Sequence, residues 1–252
     1  MLNEERRKKL AELITRKKRI LVGEVAEDFG LSEVTIRKDL KILERRGLLT
    51  RVHGGAILDR STIVDLALDE KEHLNPQAKE RIAKRAEEMI CPGDVIILDS
   101  GSTTTRLARL LKNKRDITVI TNAINIASEL AAAKVELILT GGILREKSFS
   151  LVGPLAEDAL RTVTSDKLFL GVDGIDFNIG LTTPNIHEAK VNQLMINSAR
   201  EVILLADHSK FGRRSLGVIS DIRAVSTLIT DNKISEKDYT ILMQLGITVY
   251  AV

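Results

Sequence analysis

The 252-residue chain reads as an α/β protein in two parts, a small basic helical head followed by a mainly parallel sheet covered by helices. Three observations predict this. Residues 1–57 hold 14 Lys and Arg against 9 Asp and Glu, a net of +5, while the rest nets −2, so the overall +3 conceals a basic head on a mildly acidic body. Three short helical patterns crowd into the first 46 residues, with a glycine between the last two. Beyond Gly93, short apolar runs alternate with amphipathic stretches, the pattern of βα units whose strands are buried on both faces. The asymmetric charge points to an anionic partner at the N-terminus.

Composition narrows the classes further. With 44% hydrophobic and 29% charged residues the chain can build a sizeable core, which excludes global disorder. No apolar stretch approaches the roughly 18–20 residues of a membrane span, and the first residues lack the hydrophobic core of a signal peptide. A reducing, cytoplasmic setting without membrane contact is the expectation. The single cysteine, Cys91, excludes an intramolecular disulfide and a paired-cysteine zinc site. Two Tyr, five Phe and no Trp leave few rings for a single-strand stacking groove.

In the head, Leu10, Leu13 and Ile14 repeat at helical spacing within Arg6–Arg16. A second helix fits Val22–Phe29. Gly30 and Leu31 break it, and Ser32 caps a third helix running to about Arg46. Ala26 suits the close crossing of a helix-turn-helix, and Gly30 its left-handed turn. On the third helix Ile36, Leu40 and Leu43 form the buried stripe. The opposite face collects Val34, Arg37, Lys38, Lys41 and Arg45, with Ser32 and Thr35 at the helix start. Such a helix suits the DNA major groove, its first side chains on base edges and its cations on phosphates. An ordinary solvated helix accounts for neither the tight glycine turn nor this clustering. After Gly47, the run Leu48–Ile57 reads as two short strands around Gly54-Gly55, a wing with Arg51 and His53 near its tip.

Arg6, Leu10 and Ile14, the block Thr35-Ile36-Arg37-Lys38-Asp39-Leu40, and His53-Gly54-Gly55-Ala56 together resemble the DNA-binding domain of DeoR-type bacterial transcriptional regulators. Asp39 is the one acid in the cationic stretch. Phosphate would repel it, so an internal pairing with a nearby arginine is expected.

Residues 58–76 carry no clear period and read as a linker with a short helix around Val64–Lys71, leaving 77–252 as the α/β domain. A helix from Gln77 to about Ile90 is stopped by Cys91-Pro92-Gly93, which places Cys91 as a small buried side chain at a helix end. The strand candidates are Asp94–Leu98, Ile117–Ile120, Val135–Leu139, Lys167–Val172, Glu201–Ala206, Val225–Thr230 and Ile247–Val252. The helix candidates are Thr103–Leu111, Ala123–Ala133, Pro154–Val163, His187–Arg200 and Ser235–Leu245.

The sharpest loop is Asp99-Ser100-Gly101-Ser102-Thr103-Thr104-Thr105, between a strand and a helix. Glycine permits close backbone approach, and hydroxyls with the free amides of a helix start suit a phosphate-sized anion. A hydroxyl-rich helix cap without a ligand is the plainer alternative. No Gly-x-x-x-x-Gly-Lys-Ser/Thr and no Gly-x-Gly-x-x-Gly occurs, which disfavours a nucleotide fold. Thr121-Asn122, Thr140-Gly141-Gly142, Asp173–Asp176, Thr182-Thr183, His187-Glu188 and Asp207–Gly212 fall at other strand ends. Together they would line one mouth of the sheet as a sugar-phosphate pocket. His187 and His208 lack metal-ligand spacing, and neither a metal nor another cofactor is expected.

From Gln77 to Gly217 the body resembles the sugar-phosphate sensor domain of DeoR-type regulators, itself related to ribose-5-phosphate isomerase. The resemblance implies that Ser102, Thr103, Thr104 and Lys210 hold phosphate, alongside Ser100 and Gly101 of the same loop. Asp173, Asp176 and Glu188 would face sugar hydroxyls, with Asp99, Thr121, Asn122, Gly141 and Gly142 completing the mouth. The isomerase's catalytic lysine has no counterpart, since Phe177–His187 contains no lysine, and losing a general acid–base partner costs orders of magnitude in rate. Binding without turnover is therefore expected. Asn192 in Glu188-Ala189-Lys190-Val191-Asn192, with Thr182-Thr183-Pro184-Asn185, resembles the N-acetylgalactosamine-operon branch. The expected function is a homo-oligomeric repressor of a carbohydrate operon, bound to double-stranded operator DNA and released by a phosphorylated sugar. The alternatives are a sugar-phosphate isomerase with an appended DNA-binding domain, or an architectural or RNA-binding protein.

Overall fold

The computed structural model describes residues 3–45, 49–57 and 65–252, which divide into two compact units, Met1–Leu66 and Ala67–Val252. The first unit runs α1 (Asn3–Lys17), β1 (Arg19–Leu21), α2 (Val22–Phe29), α3 (Glu33–Arg45), β2 (Thr50–Val52) and β3 (Gly55–Ile57). Leu10, Ile14, Ile20, Val25, Ile36, Leu40 and Leu43 close its core. Gly30 ends α2 at φ 64°, and the N–H of Leu31 returns to the carbonyl of Ala26 at 2.9 Å. This left-handed cap turns the chain within two residues into α3, where Ser32 Oγ accepts the N–H of Thr35. The wing is a three-stranded sheet, β1-β3-β2, rather than the two strands read from Leu48–Ile57. Its extra strand pairs Ile20 with Ala56, and at three residues it is too short to show a period. Residues 46–48 and 58–64, which include the start of the wing run and the first part of the expected linker, lie outside the described residues.

The second unit opens with α4 (Leu68–Glu72), inside the stretch read as linker, and α5 (Pro76–Glu87). It continues through β4 (Val95–Leu98), α6 (Ser102–Leu110), β5 (Thr118–Thr121), α7 (Ile124–Leu130) and β6 (Glu136–Leu139). A hairpin follows, β7 (Ile143–Arg145) with β8 (Ser150–Val152), then α8 (Pro154–Arg161) and β9 (Ser165–Gly171). β10 (Gly174–Asp176), β11 (Gly180–Thr183), α9 (Ile186–Ser198), β12 (Ala199–Leu205), β13 (Gly217–Ser220), β14 (Thr227–Thr230), α10 (Glu236–Gln244) and β15 (Thr248–Ala251) complete the chain.

All seven apolar runs become strands of one parallel sheet, ordered β15-β14-β12-β9-β4-β5-β6. Strand alternation sorts their side chains to two cores. Ile96, Leu98, Phe169, Ile203 and Leu205 meet α5, α6 and α7, while Ile97, Leu168, Leu170 and Leu204 meet α8, α9 and α10. Each such side chain, fully buried, stabilises the fold by about 1.5–3 kcal/mol.

The antiparallel pieces, β7 with β8 and the sheet β10-β11-β13, have no counterpart in the apolar-run pattern. Their strands are three or four residues long and interrupted by glycine, as at Gly180, where φ is 101° and a Cβ would lie 2.0 Å from the Ser220 carbonyl oxygen. Cys91 is exposed rather than buried. The helix ends at Glu87 and Ile90 takes the inward position, leaving Cys91 on a turn where its N–H meets Asp94 Oδ2 at 2.8 Å.

Candidate functional site

On α3 the buried stripe is Ile36, Leu40 and Leu43, which leaves Val34, Arg37, Lys38 and Lys41 exposed on the other side. Ser32 is exposed and Thr35 half-buried at the helix start, their hydroxyls 2.9 Å apart. Arg45 ends the helix, and its side chain lies outside the described ones. Two of the cations carry neighbouring acids. Arg37 Nη2 lies 2.6 Å from Glu33 and Arg51 Nε 2.7 Å from Glu44. Slight burial works against the Glu44 carboxylate, but Arg51 still holds it below the ordinary range. His53 is exposed in the turn between β2 and β3. Asp39 faces inward, its carboxylate accepting from Arg6 Nε at 2.5 Å and Arg7 Nε at 3.0 Å. This pairing, expected from repulsion by phosphate, ties α1 to the helix that carries the cations.

The second unit holds a polar cavity of about 660 Å³, measured out to its mouth, at the C-terminal ends of β4, β9 and β12. Crevices at strand ends are where parallel sheets take their ligands. One wall is the start of α6 with Ser100, Gly101, Ser102, Thr103 and Thr104. The Gly101 carbonyl accepts from the hydroxyls of Thr104 and Thr105 at 3.0 and 2.6 Å, which fixes the first turn. The first amides of a helix have no acceptor inside it, so they point at whatever occupies the cavity.

Opposite stand lysines. Lys71, Lys79, Lys147 and Lys210 all line the cavity, and Lys79 is only 2% exposed. Burial pulls Lys79 down to about 8, with repulsion from Lys210 adding to it and Asp207 opposing. Burial likewise lowers Lys210, against the attraction of Asp173 and Asp207. Asp173 is bound at 2.7 Å by Lys71 and lies 3.9 Å from Lys210. Although burial works the other way, these two lysines hold its carboxyl at about 2. Asp207 stays below its ordinary range, burial again being outweighed, chiefly by Lys210.

Glu188 accepts from Arg145 Nη1 at 3.1 Å and Ser150 Oγ at 2.9 Å. Asn185 caps α9 and so sets its position. Asp99 differs from these acids. It accepts the Gly171 N–H at 3.1 Å, and burial, with Glu188 repelling it, pushes its carboxyl up to about 7 against the help of neighbouring Asn192.

The structure thus brings Asp99, Ser100, Gly101, Ser102, Thr103, Thr104, Asp173, Glu188 and Lys210 into one cavity. It does not bring Thr121, Asn122, Gly141, Gly142 or Asp176 into that wall. Thr121 Oγ1 donates to the Leu98 carbonyl at 2.7 Å and Asn122 Nδ2 to that of Leu151 at 3.2 Å, so both knit loops together. Gly141 and Gly142 lie between β6, the edge strand, and β7. Asp176 is bound to Arg214 at 2.7 Å and closes the turn at Asn178 and Ile179.

Sequence reasoning missed Lys71, Lys79, Lys147, Ser148 and Arg145. Only Lys79 carried a local signal, as it stands on the same helical face as Ile82, Ala83 and Ala86. A lysine on a buried stripe needs an anionic reason to be there. Among the described residues no group of His, Cys, Asp and Glu is placed to hold a metal ion, and no helix is long and apolar enough to cross a membrane.

Comparison with known proteins agrees with this division. Residues 6–62 match the DeoR-like helix-turn-helix domain and residues 74–232 the DeoR C terminal sensor domain. A putative aga operon transcriptional repressor of Escherichia coli O157:H7 is 39% identical over 98% of this chain and 93% of its own. The HTH-type transcriptional regulator GlpR of Haloferax volcanii is 38% identical over 99% and 98%. The glycerol-3-phosphate regulon repressor of Escherichia coli K12 is 32% identical over 92% of each chain. Among solved structures, ribose 5-phosphate isomerase A of Methanocaldococcus jannaschii aligns over 54% of this chain and 55% of its own, at TM-score 0.42 and 20% identity. A helix-turn-helix head and a sensor body, matched along nearly the whole chain to regulators of one kind, make this chain a member of the DeoR family of transcriptional regulators.

Proposed function

We propose that this chain represses a carbohydrate-utilisation operon and is released from its operator when a phosphorylated sugar enters the cavity of the second unit. The observation that carries this reading is the placement of Lys71, Lys79 and Lys210 in one cavity with the hydroxyl-rich start of α6. Lysines that depress one another's proton affinity are costly to bury, and a dianionic phosphate relieves that cost. Asp99, Asp173, Glu188 and Ser148 supply acceptors and donors for sugar hydroxyls. The names of two relatives, repressors of the aga operon and the glycerol-3-phosphate regulon, support the repressor reading.

Operator recognition falls to α3, through Ser32, Val34, Thr35, Arg37, Lys38 and Lys41 together with Arg45, and to Arg51 and His53 of the wing. One such module reads a single half-site, so two or more copies act together in the cytoplasm on repeated half-sites. A thousand-fold change in operator affinity requires about 4 kcal/mol of differential affinity of the effector for the two states. Thermal unfolding against galactosamine 6-phosphate, glycerol 3-phosphate, inorganic phosphate and the unphosphorylated sugars tests the ligand class. A phosphorylated compound at 100 times its Kd adds about 2.7 kcal/mol to stability. Stabilisation by the unphosphorylated sugars alone would refute the reading.

A further inference from the structure

The first element after the first unit is also part of the cavity wall. α4 spans only Leu68–Glu72, and Leu68 is its one buried residue. A five-residue helix cannot hold itself together in water, so its place depends on what grips it. The Leu68 N–H donates to the Lys147 carbonyl at 2.7 Å, and Lys71 Nζ reaches Asp173 at 2.7 Å. The Lys71 carbonyl accepts from Lys79 Nζ. The Glu72 carbonyl and carboxylate each accept at 3.2 Å, from Arg106 and Arg109 of α6. These grips on α4 come from cavity lysines, from the acid those lysines share, and from the helix whose start faces the cavity.

An anion in that cavity changes this set of grips directly. It draws Lys71, Lys79 and Lys210 towards itself, competes with Asp173 for Lys71, and loads the N-terminus of α6 while Arg106 and Arg109 hold Glu72 from the same helix. We infer that α4 is the relay of the sensor: anion binding weakens the Lys71–Asp173 pair, repositions α4, and so alters the chain leading back to the operator-binding unit. The inference rests on the reading of the cavity as an anion site and adds the element through which occupancy is felt. Lys71 acts here as a positioning residue, holding α4 in the arrangement of the empty cavity.

The test uses the full chain, a duplex that the chain itself selects from a random pool, and the probes inorganic phosphate, glycerol 3-phosphate and galactosamine 6-phosphate. Two quantities are measured separately: probe affinity by calorimetry, and the ratio of operator Kd values with saturating probe and without it. Lys71→Met is expected to bring that ratio at saturation at least ten-fold closer to one. Glu72→Gln, which lines no part of the cavity, is expected to lower the ratio while probe affinity stays within about three-fold of wild type. Amide exchange of the peptide covering residues 67–74 should change several-fold when the probe binds to the wild-type chain. A wild type that binds none of the probes overturns both the cavity reading and the relay. A wild type that binds and responds, with both variants keeping the full ratio at saturation and 67–74 exchanging identically with and without probe, overturns the relay alone.

Discussion

The two units use the same residue types in opposite ways. On α3 and the wing, Arg37, Lys38, Lys41 and Arg51 stand in solvent, and Arg37 and Arg51 pair with acids at the surface. In the cavity, Lys79 is buried and Lys210 half-buried, and they are held by Asp173, Asp207 and the Lys71 carbonyl. Exposed cations cost little, act at a distance and are screened by salt. Buried ones are expensive, short-ranged and sensitive to protonation. The first arrangement suits a long, regular polyanion and the second a small anion that must be distinguished from others. Charge alone therefore separates the two tasks less well than the depth at which the charge is placed.

The comparison can be broken most severely where the head departs from its own rule. Asp39, 2% exposed, is a buried ion-pair centre of the first unit, and Asp39→Ala removes the carboxylate that Arg6 and Arg7 share. Removing one partner of a buried pair costs about 3–5 kcal/mol. Denaturant unfolding of the full chain should show that loss in the transition of the first unit, with the second unit unchanged.

Asp99 sharpens the contrast from the other side. Unfolded, its carboxyl titrates near 3.8, and folded at about 7, so between those values the folded chain keeps a proton that the unfolded chain releases. Its contribution to stability is full below pH 4 and is lost as pH rises through 7. Asp99→Asn is expected to stabilise the chain at pH 8 by an amount on the order of a few kcal/mol. The gain should shrink steadily towards pH 4 in parallel unfolding curves. A gain independent of pH would mean that Asp99 is not held in its protonated form by burial.

Smaller effects belong to the exposed face. Arg37→Ala should weaken operator binding by about 1–3 kcal/mol and relax selectivity at one base pair, the mark of a base contact. Lys41→Ala should weaken binding to all duplexes alike and reduce the slope of log K against log salt by about one. Probe binding in the cavity should be unaffected by either substitution. Equal salt slopes for all variants would place the DNA contact elsewhere.

Much of this was legible in the sequence because it rests on local patterns. The seven parallel strands announce themselves as Val, Ile and Leu runs, since a strand buried on both faces has no polar face to interrupt it. The glycine turn, the stripe of α3 and the inward-facing Asp39 follow from spacing and from repulsion by phosphate. What was not legible depends on segments brought together by the fold. Lys71 reaches Asp173 from a five-residue helix, and Arg145 reaches Glu188 from a hairpin of three-residue strands. Neither element has a period to read. Asp176 failed for the complementary reason. It pairs with Arg214 and closes its own turn, while Asp173, three residues before it, lines the cavity.

The most direct test of the central claim is one titration with two proteins. Fluorescence anisotropy of a labelled, chain-selected duplex is followed as galactosamine 6-phosphate or glycerol 3-phosphate is added to the wild type and to Lys210→Ala, with the unphosphorylated compounds as controls. The account predicts that a phosphorylated compound releases the wild type from DNA and its unphosphorylated counterpart does not, while Lys210→Ala binds the duplex normally and stays bound throughout. Release of Lys210→Ala at the same concentration as the wild type would contradict it.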